Sequence, residues 1–302
     1  MKVFIAGATG AIGKPLVRQL RMDGQEVYGT TRSATKGQML SSEGAKPVQL
    51  DFFDKAALLK FLNEIKPDIV INMLTSLPKN YTAEEMQRAS AEDYKLRWEG
   101  GKNLQEAAEE AGVRRLILQS AGFFYTTGKG LADESTPFAL HATPYVSQNA
   151  KVYAEIEERL FASSRLEGIA LRFGFFYGPG TWYYPGGSVF EQVQAGQLPI
   201  IGKGEGVWSF VHIEDAAKAA ASAIYATPGA YNIVDGQPSM QRVWLSALAR
   251  HLGAPLPPIL SEQDAIQRFG IDQVYYATKL RGASYAKAQR EFNFEPRTLE
   301  WL

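Results

Sequence analysis

The 302-residue sequence contains no cysteine. Disulfides, thiolate metal sites and cysteine nucleophiles are therefore excluded. Histidine is scarce, at three residues, and no His/Asp/Glu cluster has metal-ligand spacing. Net charge is absent: Lys plus Arg and Asp plus Glu stand at 32 each, so no overall field draws the chain to nucleic acid or an anionic membrane. No run of about 18 apolar residues exists, so no membrane span is expected. The opening MKVFIAGATG reads as a strand and turn, not as a charged segment leading into an apolar one. A soluble, cytoplasmic protein with no nucleic-acid or membrane partner is the expectation that these absences leave.

Hydrophobic residues at 45% and charged residues at 21% give an ordinary globular balance. The first two thirds alternate compact apolar runs with helical patterns. KVFIA (2–6), EVYGTT (26–31), KPVQL (46–50), DIVINM (68–73), RLILQS (115–120) and GIALRF (168–173) read as strands buried on both faces. Helical spacing fills the gaps, as in AALLKFLNEI and the stretch from Thr82 to Ala111. Such alternation predicts an α/β fold, a doubly wound parallel sheet of Rossmann type, with a small C-terminal substrate lobe. The pattern changes near residue 174, where glycine, proline and aromatics cluster in FGFFYGPGTWYYPGG. We therefore divide the chain into a dinucleotide-binding domain, residues 1–174, and a lobe, residues 175–302. Some strands and helices of the second part are expected to return to the first.

Directly after the first strand runs Gly7-Ala8-Thr9-Gly10-Ala11-Ile12-Gly13, with a helix to follow. Gly7 permits the tight turn, Gly10 lets backbone approach a pyrophosphate, and Gly13 lets the helix pack close to the strand. The helix N-terminus then presents free N–H groups and a partial positive charge to the phosphates. Later motifs are FYGPG (176–180), FVHIEDAAKA (210–219), YNIVDG (231–236) and SYAKAQREFNFEP (284–296). With the G-x-x-G-x-x-G spacing, they make the chain resemble the short-chain dehydrogenase/reductase superfamily, in its extended, epimerase/dehydratase-like or atypical branch. The resemblance implies a nicotinamide cofactor, a homodimer built on the helices at 82–111 and 144–162, and a small-molecule substrate.

Thr31-Arg32-Ser33 closes the second strand, with Lys36 nearby and no acid. A carboxylate there would favour NAD(H); Arg32 can fork onto a 2′-phosphate, so NADP(H) is favoured over NAD(H). By the same resemblance Asp51 and Phe52 meet the adenine, and Met73-Leu74-Thr75 pass beside the ribose and nicotinamide. Phe173 and Phe175 complete the expected cofactor set.

Family chemistry uses a tyrosine as acid or base and a lysine four residues later, one helical turn away. Here the segment is PYVSQNAKVYAE, and the pair does not close: Tyr145 is followed at that spacing by Asn149, and Lys151 is two residues late. Ser120, at the end of the fifth strand, is the expected hydroxyl at the substrate oxygen. The candidate catalytic set is therefore Ser120, Tyr145 and either Asn149 or Lys151, with Tyr125, Tyr177 and His212 as other proton donors.

Trp208 stands where nucleotide-sugar members carry an arginine for the substrate diphosphate. Phe123, Tyr125, Phe176, Trp182, Trp208 and Arg281 are the expected substrate pocket, in a crevice that Phe124, Tyr183 and Tyr184 also make aromatic. The leading expectation is reversible hydride transfer to a carbonyl on a small, largely apolar molecule. A nucleotide-sugar epimerase or dehydratase and a non-catalytic NADP(H)-binding redox sensor are the alternatives.

Overall fold

The computed structural model describes residues 1–302, apart from the side chain of Ala83. Six strands arrive in chain order: β1 (Lys2–Ala6), β2 (Glu26–Thr30), β3 (Lys46–Val48), β4 (Ile69–Asn72), β5 (Arg115–Ala121) and β6 (Glu167–Phe173). Between them run α1 (Gly13–Met22), α2 (Ala34–Ser42), α3 (Lys55–Ile65), α4 (Ala83–Lys95), α5 (Gly101–Glu110) and α6 (Pro144–Ala162). The remainder adds β7 (Phe175–Tyr177), α7 (Ser188–Gln194), β8 (Ile200–Ile201), β9 (Val207–Trp208), β10 (Phe210–His212), α8 (Ile213–Ser222) and β11 (Gly229–Ile233). It ends with β12 (Ser239–Met240), α9 (Gln241–His251), β13 (Ile259–Leu260), α10 (Glu262–Phe269), α11 (Ile271–Thr278) and α12 (Ala286–Phe292).

Seven strands form one parallel sheet in the order β11-β6-β5-β4-β1-β2-β3. Alternation along β1 supplies both faces: Phe4 and Ala6 enter one core, Val3 and Ile5 the other. This explains the unbroken apolar runs of the sequence, since a strand covered on both sides has no polar face. The order reverses between β1 and β4, and there a crevice opens at the carboxyl ends of the strands.

Elements from both sides of residue 174 share the main sheet: β11 extends it beside β6, and α8 packs against α1. The lobe proper consists of short two-stranded pairs, β8 with β13 and β9 with β12, together with α7 and α9 to α11.

Residues 82–111 are not one regular helix. α4 and α5 are joined by a π-helical turn, Leu96–Gly100. A wide turn of this kind rotates the side chains after it relative to those before it. Among the described residues, no helix is long and apolar enough to cross a membrane.

Candidate active site

The glycine turn closes as its spacing requires. Gly7 has φ of +86°, and a Cβ there would lie 2.6 Å from the Met73 carbonyl oxygen, so β1 and β4 meet only because the side chain is absent. The Gly7 amide donates to Thr30 Oγ1 at 2.8 Å, fixing the turn to the end of β2. A Cβ at Gly10 would meet only the Gly7 carbonyl, at 3.3 Å, so the exposed side of the turn is bare backbone. No side chain caps the start of α1, and its first turn holds no acid. The donor set and the open backbone fit a pyrophosphate.

Arg32 is exposed beside this turn, while Thr31 and Ser33 fold into a local hydrogen-bonded turn that starts α2. Asp51 accepts from the Phe53 amide at 2.9 Å and is otherwise exposed. Phe52 and Met73 are buried, Leu74 is half-buried, and Thr75 reaches the cavity described next.

A cavity of about 890 Å³ opens at the carboxyl ends of β4, β5 and β6, under the lobe. Thr75, Phe123, Phe173, Phe175, Phe176 and Trp182 of the expected set line it. Phe123 stacks on Phe175 with ring centroids 4.3 Å apart. Trp182 forms the roof: its Nε1 donates to the Lys79 carbonyl at 3.0 Å, and its ring lies 4.9 Å from that of Tyr81. The lobe is held to α6 by Asp272, whose Oδ1 accepts the Tyr145 and Val146 amides at 3.1 and 3.2 Å. That carboxylate caps a helix whose own N-cap, Thr143, offers no side-chain bond.

Ser120, Tyr145 and Asn149 all reach the cavity, yet they form no catalytic pair. The Ser120 hydroxyl donates to Glu157 Oε1 at 2.5 Å, and that carboxylate is locked on Arg172 at 2.6 Å. Ser120 can thus accept a hydrogen bond from a ligand but has no proton left to offer. The Asn149 amide donates to the Tyr145 carbonyl at 2.8 Å, within its own helix. Burial pushes the Tyr145 phenol above its ordinary range, and neighbouring Tyr81, Tyr153 and Asp93 push it the same way; only Arg97 opposes them. No lysine activates it.

Four expected site residues are placed elsewhere. Lys151 is exposed, because two further residues turn it about 200° around the helix, away from Asn149 and the cavity. Tyr125 is sealed in the interior, where its hydroxyl bonds to Asn232 and Arg172 Nη1. Trp208 lies behind the wall: it stacks on the far face of Phe175 at 4.2 Å and donates Nε1 to the Tyr276 carbonyl at 3.0 Å. Arg281 holds the carbonyls of Lys129 and Gly130, at 3.0 and 2.9 Å, and so braces a surface loop. The other donor candidates, Tyr177 and His212, are buried against each other away from the cavity; His212 accepts the Glu214 amide at the start of α8.

The family model for the NAD dependent epimerase/dehydratase family matches residues 3–233. A curated relative from Streptomyces sp, 3-diazoavenalumate denitrifying reductase, is 36% identical over all of this chain and 98% of its own length. The chain belongs to the NAD-dependent epimerase/dehydratase family. Among solved structures, UDP-glucose 4-epimerase of Thermotoga maritima, with UDP-glucose, superposes with a TM-score of 0.77 at 20% identity, covering 99% of this chain and 94% of that one. The UDP-glucose 4-epimerase of Thermus thermophilus, complexed with NAD, gives 0.74 at 24%, covering 99% and 95%. As an epimerase/dehydratase-family chain, the protein has the glycine turn and the parallel sheet order, and Asn149 stands four residues after Tyr145.

Further cavity residues escaped the sequence reading. Asp93 and Arg97 from α4 and its π turn, Tyr81, Tyr153 and Tyr276 all face it. Asp93 and Arg97 stand four apart, the spacing of an ordinary surface ion pair, and nothing in the sequence marks the π turn that buries them.

Proposed function

We propose that the protein is a nicotinamide-dependent reductase of a small aromatic substrate held in this cavity. One observation carries the reading: an aromatic-walled site at the carboxyl end of the sheet has no assembled proton donor. A nicotinamide held at the glycine turn would supply the hydride. The residues of this chain bind and orient the acceptor: the stacked Phe123 and Phe175 form one aromatic wall, and Trp182 with Tyr81 closes the roof and excludes water.

Hydride delivery to a carbonyl leaves an alkoxide that needs a proton. Replacement of a diazonium group does not: Ar–N₂⁺ and H⁻ give Ar–H and N₂, with atoms and charge in balance. The diazo, denitrifying and reductase elements of the Streptomyces relative's name therefore agree with the open tyrosine–lysine pair. The aromatic faces around the cavity suit a cationic arene.

The test is Tyr145→Phe, assayed with 3-diazoavenalumate and reduced nicotinamide for N₂ release and cofactor oxidation. Turnover is expected to stay within about tenfold of the parent. A general acid contributes about 10²–10⁴-fold, so a loss of that size overturns the proton-free reading. Carbonyl reduction is the second reading, favoured by the Tyr145 side chain in the cavity wall; that larger loss, seen with an aryl aldehyde or ketone, would support it.

For the cofactor we favour NADP(H). Arg32 is exposed and has no ion-pair partner among the described residues, and the first turn of α2 contains no acid. Arg32→Ala is expected to weaken NADPH binding about 10- to 100-fold, the worth of a charge-assisted bond, and to leave NADH within about twofold. Calorimetric titration with each nucleotide reads this directly; equal losses for both would remove Arg32 from phosphate recognition.

A further inference from the structure

Three buried arginines can be compared. Arg115 places Nε and Nη2 on Glu167 and Nη1 on the carbonyls of Ala223 and Ile224. Arg172 places Nε and Nη2 on Glu157 and Nη1 on Tyr125 and the Glu134 carbonyl. Arg97 is as deeply buried, at 8% exposure, but only its Nε is committed, to Asp93 Oδ2 at 2.7 Å. Among the described residues, neither of its terminal nitrogens has an acceptor.

The side chain is held firmly despite this. Asp93 Oδ1 accepts the Ser76 amide at 2.6 Å, so the carboxylate that grips Nε is itself pinned. The guanidinium lies over the Tyr153 ring at 5.3 Å. The π turn at Leu96–Gly100 begins one residue before Arg97, and both members of the pair line the cavity. Arg97 lines the cavity and two small clefts beside it, and neither Nη atom is among the side-chain atoms sealed from solvent without a partner. A fixed cation with two unsatisfied parallel donors is costly to bury unless an anion completes it.

We propose that Arg97 is the anchor for a substrate carboxylate, received end-on by Nη1 and Nη2 while Asp93 fixes the opposite edge. The inference rests on the cavity being the substrate site and narrows the substrate class to aryl or arylalkenyl carboxylates. A planar fork matches a carboxylate in two parallel bonds, which a lysine cannot reproduce.

The test is calorimetric titration of the full chain with trans-cinnamate and with cinnamamide, its neutral isostere. The acid is expected to bind at least about tenfold tighter than the amide. Arg97→Gln alone would leave Asp93 buried without its partner, so the decisive variant is the neutral pair Asp93→Asn with Arg97→Gln. There the preference for the acid is expected to vanish while amide affinity holds. Arg97→Lys keeps the charge without the fork and is expected to retain only part of the preference. Equal binding of acid and amide by the parent, or a preference that survives in the neutral pair, overturns the anchor and leaves the aromatic site standing. Binding of neither probe, beside intact NADPH binding, overturns the anchor and the aromatic-substrate reading together. A neutral pair that instead loses NADPH assigns Arg97 to the cofactor and equally overturns the proposal.

Discussion

Gly13→Ala is expected to abolish measurable nicotinamide binding and to lower the melting temperature by several degrees. A Cβ at this first residue of α1 would sit 2.3 Å from the Gly7 carbonyl oxygen, 2.6 Å from the Ala8 carbonyl carbon and 2.7 Å from the Ala8 oxygen. All three are backbone atoms of the turn, so no flexible side chain can yield. Either the helix start must lift from β1 or the turn must open. Each movement displaces the amides that face the phosphates, and overpacking of this kind costs about 1–3 kcal/mol or more. A domain somewhat smaller than this chain loses about 2–4 °C per kcal/mol. Gly10→Ala separates binding from folding. Its methyl would meet only the Gly7 oxygen, at 3.3 Å, on the open side of the turn. That variant is expected to melt with the parent yet bind nucleotide weakly, because the methyl stands where the pyrophosphate must approach. Wild-type NADPH affinity in Gly13→Ala would show that the turn does not hold the cofactor.

The sheet was legible because its strands are covered on both faces, and such strands print themselves as short apolar runs between glycine-bearing turns. The glycine turn was legible for a similar reason: close backbone approach leaves no other residue possible at Gly7 and Gly13. Side-chain position was harder. Ser120 and Tyr145 both line the cavity, but nothing in the sequence links Ser120 to Glu157, thirty-seven positions away, and that bond removes its proton from use. Phe175 and Trp208 are alike as aromatic residues of the lobe; one lines the cavity, stacked between Phe123 and Trp208, and the other packs behind it. Arg97 was hidden by its neighbours. In a helix as polar as α4, an acid and a base four apart read as a solvated pair, and the π turn that draws them inward has no sequence signature comparable to a glycine triplet.

Arg172→Met is expected to destabilise the fold by about 3–5 kcal/mol, the cost of stranding a buried charge. Glu157 is 3% exposed, and its carboxylate takes Arg172 Nη2 at 2.6 Å and Nε at 2.9 Å, besides the Ser120 hydroxyl. The guanidinium also lies 4.6 Å over the Phe138 ring and holds the Glu134 carbonyl at 3.0 Å, which ties the loop after β5 to β6. Removing the arginine leaves Glu157 with a single neutral donor in an apolar surround. Urea unfolding should register the loss as a lower midpoint with an unchanged slope. The paired variant Glu157→Leu with Arg172→Met removes both charges and is expected to recover most of the stability, since a packed apolar pair can equal a buried ion pair. The two variants differ at the site as well as in the core. In the paired variant the Ser120 hydroxyl loses its acceptor and can rotate to donate into the cavity. If the protein reduces without a proton donor, that freedom should bring no gain in turnover with a diazonium substrate. If turnover of a carbonyl substrate rises instead, the Glu157–Arg172 pair is what keeps the site from the chemistry usual for its fold. A single variant that costs less than about 1 kcal/mol would mean that water already reaches Glu157 and that the pair does not lock Ser120.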